Sequence, residues 1–128
     1  MVKDRVKIFG DLEEEIMEII WQNGQSSVRD VLSCLEKKRK IAYTTIMTVM
    51  SRLHTKGILK RKMDSTGAFV YLPVKDKQSF IAQASEKIIK SFLKEYGDIA
   101  VAQFVDIIEK ADTKQSASWK GKLKKLIK

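Results

Sequence analysis

The hydrophobic period of this chain changes at Gly57. Upstream, three segments space apolar residues as helices do; downstream, two short segments alternate as strands do. Leu12, Ile16, Ile19 and Ile20 give the first helix an inward face. Gly10 can cap it, Asp11, Glu13 and Glu14 complement its positive end, and Asn23-Gly24 ends it. Ser27 is a good N-cap for the second helix, with Asp30 in the capping-box position and Val28, Val31, Leu32 and Leu35 facing inward. The third helix covers about residues 43 to 56, and Ile46, Val49, Met50 and Leu53 share one face. After it, Ile58–Met63 and Ala68–Leu72 read as strands joined by Asp64-Ser65-Thr66-Gly67, and Pro73 closes the second because it has no N–H for a ladder. Three helices followed by a basic β-hairpin make a winged helix-turn-helix, with Ile41-Ala42 the expected source of a short third strand. Phe69 and Tyr71 fall on one face of the hairpin, for core packing or contact with a nucleic-acid backbone.

Charge is concentrated on this pattern. Residues 37 to 62 hold nine Lys or Arg and no Asp or Glu, and the whole chain carries 25 basic and 16 acidic residues for a net charge of +9. Such a surplus favours polyanions as partners. The outward face of the third helix holds Thr44, Thr48, Ser51, Arg52 and Thr55, small hydroxyls and one guanidinium in place of the usual Glu/Lys mixture. That face suits a DNA groove. A solvated helix that merely lacks acids is the other reading. On the hairpin, Lys60, Arg61 and Lys62 are candidates for phosphate contacts, since wing strands run along the DNA backbone.

Other classes find little support. Charged residues interrupt the first twenty positions, no apolar run approaches the roughly 18 residues of a membrane span, and a cytoplasmic location is expected. Cys34 is the only cysteine, so an intrachain disulfide and a cysteine metal cluster are excluded. His54 is the only histidine and has no sequence-local partner that suggests a triad or metal site; no phosphate loop or HExxH spacing occurs. Neither an enzyme nor a bound metal or cofactor is expected.

Beyond Pro73 the chain changes character. Asp76 can cap a long helix to about Tyr96, and Gly97 breaks it. Asp98 then caps a segment, Ile99 to Ile108, that is apolar nearly all round. Such a helix must be buried on several sides. Its partners are the long helix and a short last one bearing Trp119, Leu123, Leu126 and Ile127. About 50 residues in three helices cannot easily cover it, so a second copy of the chain is expected to do so, as a symmetric homodimer. Packing back onto the chain's own winged helix is the alternative. The candidate dimerisation residues are Ile88, Phe92, Val101, Phe104, Val105, Ile108, Trp119, Leu123 and Leu126. The expected division is a winged-helix DNA-binding domain over 1–74 and a three-helix dimerisation domain over 75–128.

The run from Ala42 to Leu53, followed by Lys56-Gly57 and a basic strand, resembles the recognition helix of the penicillinase-repressor (BlaI/MecI) family. Leu12, Glu13, Ile16, Met17, Ile19, Ile20 and Trp21 resemble that family's first helix, Val28 to Leu32 its second, and Phe69 to Pro73 its second wing strand. The likeness is strong over residues 10 to 74; beyond, mainly the helix pattern is shared. It implies a dimeric repressor that binds a double-stranded dyad operator, often with TACA/TGTA half-sites. By motif position, Thr44, Thr45 and Thr48 would face bases and Arg52 a phosphate or base edge. Some relatives have a basic residue where this chain has Met47, and Met47 is expected to pack. In the antibiotic-resistance members a membrane sensor triggers cleavage at an Asn-Phe bond; here the position reads Gln103-Phe104. The copper-responsive branch uses a C-terminal cysteine cluster, which this chain lacks. The competing class is a winged-helix module that turns its basic face to RNA or an acidic protein.

Overall fold

The computed structural model of the protein describes residues 7–111 and 117–122. In chain order its elements are α1 (Asp11–Asn23), β1 (Ser26–Ser27), α2 (Val28–Leu35), α3 (Tyr43–Thr55), β2 (Leu59–Met63), β3 (Phe69–Pro73), α4 (Lys77–Tyr96) and α5 (Asp98–Lys110). Residues 117–122 are also helical. The caps of the first two helices follow local chemistry. The Glu13 carboxylate accepts from the Gly10 N–H at 3.0 Å. Ser27 and Asp30 exchange reciprocal bonds, Asp30 N–H to Ser27 Oγ at 3.1 Å and Ser27 N–H to Asp30 Oδ2 at 3.0 Å.

One apolar cluster joins these helices to the sheet. Ile16, Met17 and Ile20 of α1, Val28, Val31 and Leu35 of α2, and Ile46, Met50 and Leu53 of α3 meet Leu59 and Tyr71 of the hairpin. Of the residues spaced at helical periods, Leu12, Ile19, Leu32 and Val49 are only half-buried at the rim of this cluster, while Met17 joins Ile16 and Ile20 inside it; the cluster fixes which face α3 turns outward.

The sheet is antiparallel in the order β1–β3–β2. Its third strand is Ser26–Ser27, paired with Tyr71 and Val70, and not the expected Ile41-Ala42. Ala42 is occupied otherwise: it is the N-cap of α3, and its carbonyl accepts from the N–H groups of Thr45 and Ile46 at 3.2 and 3.3 Å. Ser26 is fully buried, and its hydroxyl accepts from Asn23 Nδ2 at 3.2 Å. At the far end of the hairpin, Asp64 Oδ1 accepts from the Thr66 N–H at 2.8 Å, the Thr66 hydroxyl at 2.5 Å and the Ala68 N–H at 3.1 Å. Gly67 takes φ +86° there, which a residue with a Cβ rarely adopts.

The chain divides after Ala82 into two compact units. The first runs past Pro73 and Val74 because the start of α4 packs on α1. Phe80 stacks on Phe9 with ring centroids 4.9 Å apart and tilts against Trp21 at 5.7 Å. Trp21 Nε1 donates to the Lys75 carbonyl at 3.0 Å, and Lys77 pairs with Glu18 at 2.5 Å.

In the second unit Gly97, and not Asp98, is the N-cap of α5; its φ of 52° turns the chain, and its carbonyl accepts from the Val101 N–H at 3.1 Å. Asp98 is the first helical residue. Of the described residues of this unit, only Ala100 and Ile108 are buried. Within its own unit α5 is therefore not buried on several sides, contrary to the demand its sequence makes. Val105 is half-buried, while Ile88, Phe92, Val101, Phe104 and Trp119 are exposed. Leu123 and Leu126 lie outside the described residues. Among the described residues no helix is long and apolar enough to cross a membrane.

Candidate nucleic-acid interface

Burying Ile46, Met50 and Leu53 leaves α3 with two outward stripes. Thr44, Thr45, Thr48 and Arg52 are exposed along one, and Ser51 is half-buried. Tyr43, Met47 and Ser51, four residues apart, form the other and line a cleft facing the wing. Met47 is 41% exposed and does not pack into the core. It follows Ile46 in sequence, and one step along a helix turns a side chain about 100° off the buried face.

The threonines differ in what they offer. Thr48 Oγ1 donates to the Thr44 carbonyl at 2.9 Å, and Thr55 Oγ1 to the Ser51 carbonyl at 3.0 Å. With its hydrogen used inside the helix, Thr48 presents an acceptor oxygen and a methyl group, a pair that can meet an amino group and a thymine methyl. The start of α3 has no acidic residue in its first turn and no side-chain cap. Its positive end is thus left unneutralised. Arg52 stands in the last turn, where a cation complements the negative helix end.

The wing splits the three basic residues taken together from sequence. Arg61 lies directly opposite the buried Tyr71 across the ladder, on the same strand face as Leu59. Its Nη1 donates to Tyr71 Oη at 3.3 Å, and its guanidinium lies 4.2 Å from the centre of the Phe69 ring. Lys60 and Lys62 alternate onto the other face, and both are exposed. Phe69 and Tyr71 share a face as expected, but Tyr71 is buried and Phe69 is 41% exposed beneath the arginine.

Between α3 and the wing lies a cleft of about 610 Å³, lined on one side by Arg29, Tyr43, Met47 and Ser51 and on the other by Arg61, Tyr71 and the wing turn through Asp64, Thr66 and Phe69. Arg29 sits 5.7 Å from the centre of the Tyr43 ring, which joins the starts of α2 and α3. Sequence reading passes over this pair. The available signal is a cation in the first turn of a helix, the wrong end for the dipole, beside an Asp30 committed to capping.

Carboxylates near the interface are engaged elsewhere. Burial raises the Glu13 carboxyl, but the Gly10 amide, Lys56 and the charge of Arg52 together hold it below its ordinary value. The Arg39 guanidinium holds Glu15 below its ordinary value, through bonds of 2.6 and 3.0 Å. In the wing turn, the Thr66 hydroxyl and amide, with the amides of Ala68 and Gly67, lower Asp64. Among the described residues no group of three His, Cys, Asp or Glu is placed to hold a metal ion.

A three-helix core, a hairpin wing and an exposed acid-free third helix define a winged helix-turn-helix protein. The chain matches the family model described as penicillinase repressor over residues 9–127, and it belongs to that family. It is 36% identical over 74 residues to the transcriptional regulator BlaI of Mycobacterium tuberculosis, a match covering 57% of this chain and 53% of that protein, so the chain spans about half the length of this relative. It is 29% identical over 103 residues to the methicillin resistance regulatory protein MecI of Mammaliicoccus sciuri, covering 80% of each. The solved structure of Bordetella bronchiseptica BpsR, 17% identical, aligns over 87% of this chain and 81% of that one with a TM-score of 0.48.

Proposed function

We propose that this protein is a dimeric, sequence-specific transcriptional repressor that binds a dyad operator in double-stranded DNA. In this reading α3 enters the major groove, with Thr44, Thr45 and Thr48 facing bases and Ser51 and Arg52 beside them. Lys60, Arg61 and Lys62 contact the backbone, and the half-sites are TACA/TGTA-like. The observation that carries it is the outward face of α3: three exposed threonines and an arginine, with no acid between Lys37 and Lys62. Membership of the penicillinase repressor family supports the repressor role. A location in the cytoplasm follows from that role.

The dimer is supported by the second unit. Ile88, Phe92, Ile99, Val101, Phe104 and Ile107 are all at least 46% exposed in one chain. Large apolar side chains left exposed in this number on two helices support an interaction surface, and a second copy presents the matching surface by symmetry. The same region carries the proposed induction route, in which a membrane sensor-protease acts indirectly and the Gln103–Phe104 bond is cut. Both residues are exposed on α5. A cut in the middle of this helix divides the proposed dimer surface.

The test is a gel-shift series with a duplex carrying a TACA/TGTA dyad and scrambled competitor, paired with sedimentation of the free protein. Preferential binding of the dyad by a dimer supports the reading. Equal binding to scrambled duplex, or preference for RNA, moves the basic face to the class of RNA or acidic-protein modules. An operator complex that survives expression of the sensor with the Gln103–Phe104 bond uncut removes the induction route alone.

A further inference from the structure

The cleft between α3 and the wing holds two arginines that, alone among the described cations, lie over aromatic rings. Arg39 and Lys56 are held by Glu15 and Glu13, at 2.6 and 3.2 Å. Among the described residues no ion pair within 4.0 Å holds Arg29 or Arg61. Each lies over an aromatic ring instead, Arg29 over Tyr43 at 5.7 Å and Arg61 over Phe69 at 4.2 Å. A ring face orients a guanidinium while leaving its N–H fork free for an anion. Arg61 uses one nitrogen on Tyr71 Oη at 3.3 Å.

Arg29 is the more telling of the two. It is the second residue of α2, where the helix dipole disfavours a cation, and the adjacent Asp30 carboxylate is spent on the Ser27 N–H. A cation kept where local rules oppose it is explained if an anion arrives there. The rim opposite Arg29 and Tyr43 is the wing turn, whose one carboxylate, Asp64, is occupied by Thr66 and Ala68. A cleft with a guanidinium on each of two facing walls fits the phosphates of a polyanion backbone.

We infer that Arg29 and Arg61 form a two-walled clamp for one DNA backbone strand passing between α3 and the wing, with Tyr43 as the positioning residue for Arg29. This rests on the DNA-binding reading above. It assigns a contact to α2 and separates Arg61, inside the cleft, from Lys60 and Lys62 on the outer face. Phosphate contacts in such a clamp carry no sequence information; they set the depth and register of α3.

Fluorescence anisotropy over a range of salt, on a dyad duplex and a scrambled one, tests it. Arg29→Gln should weaken binding to both duplexes alike, by about tenfold, and lower the salt slope by about one per subunit. Adding Arg61→Gln should lower it by about one more. Tyr43→Phe, which keeps the ring face, should behave as wild type, and Tyr43→Ala should lose part of what Arg29→Gln loses. Arg29 and Tyr43 are exposed, so these variants should fold, with unchanged circular dichroism as the check. A wild-type slope for Arg29→Gln, while the unaltered protein still prefers the dyad, overturns the clamp and leaves the repressor reading standing. A loss confined to the dyad makes Arg29 a base reader and also overturns it. Absence of any dyad preference in the unaltered protein defeats the repressor reading itself.

Discussion

The two units of this chain treat their apolar side chains in opposite ways. In the first, eleven residues from three helices and the hairpin close into one core, several of them with no exposure at all. In the second, Ile99 is 74% exposed, Ile107 61% and Phe104 50%, although α5 is the more apolar sequence. Apolar content therefore does not tell where a core lies. A core needs enough elements on all sides, and two helices with a short third cannot supply them. The first unit is complete within one chain; the second is complete, in our proposal, only with a partner.

That contrast can be broken most severely at Phe104. Phe104→Ala removes a ring from the proposed joint core, at roughly 3–5 kcal/mol per site and twice over in a symmetric dimer. The variant should sediment as monomer, keep the winged helix, and bind operator far more weakly because the half-sites are no longer tethered. A variant that stays dimeric at low micromolar concentration and binds normally locates dimerisation elsewhere.

Met50 tests the opposite unit. It is fully buried beneath the outward face of α3, and Met50→Ala should cost about 2–5 kcal/mol. Operator binding should disappear at a lower temperature while sedimentation still reports a dimer. Simultaneous loss of both would show that the units do not stand apart energetically.

The next effects concern the interface and leave both cores alone. Thr45→Ala should cost about 1–3 kcal/mol on operator and little on random DNA; equal weakening on both would make Thr45 a backbone contact. Lys60→Ala and Lys62→Ala should each weaken binding to all sequences and reduce the salt slope by about one per subunit. An unchanged slope for both means the outer face of the wing points away from DNA.

The smallest effect is that of pH on the Arg39–Glu15 pair, which links the turn after α2 to α1. The pair holds the folded-state pKa of Glu15 below its ordinary value. Its contribution is therefore complete above the unfolded value, ordinarily about 4.3, and is lost as pH falls through the lowered folded one. Urea unfolding of wild type and Glu15→Gln should differ slightly near neutrality and converge in acid. A difference that persists in acid, once Glu15 is protonated in the folded protein, would assign the effect to packing.

Sequence by itself determined the features whose cause is local. Periodicity, caps and turn residues place α1, α2, α3 and the hairpin, because each element's apolar face and end signals lie within its own few residues. The same logic marks the threonine face of α3, since whatever the core does not take must face outward. Only tertiary structure decided what depends on partners distant in the chain. A two-residue strand has no period to read, so Ser26–Ser27 could not be told from Ile41-Ala42 until Tyr71 and Val70 were seen opposite it. The register of β2 on β3 set Arg61 against Tyr71 and parted it from Lys60 and Lys62. The approach of α2 to α3 put Arg29 over Tyr43, fourteen positions apart with no spacing rule to join them. These are long-range pairings, and their geometry exists only once the common core has brought the elements together.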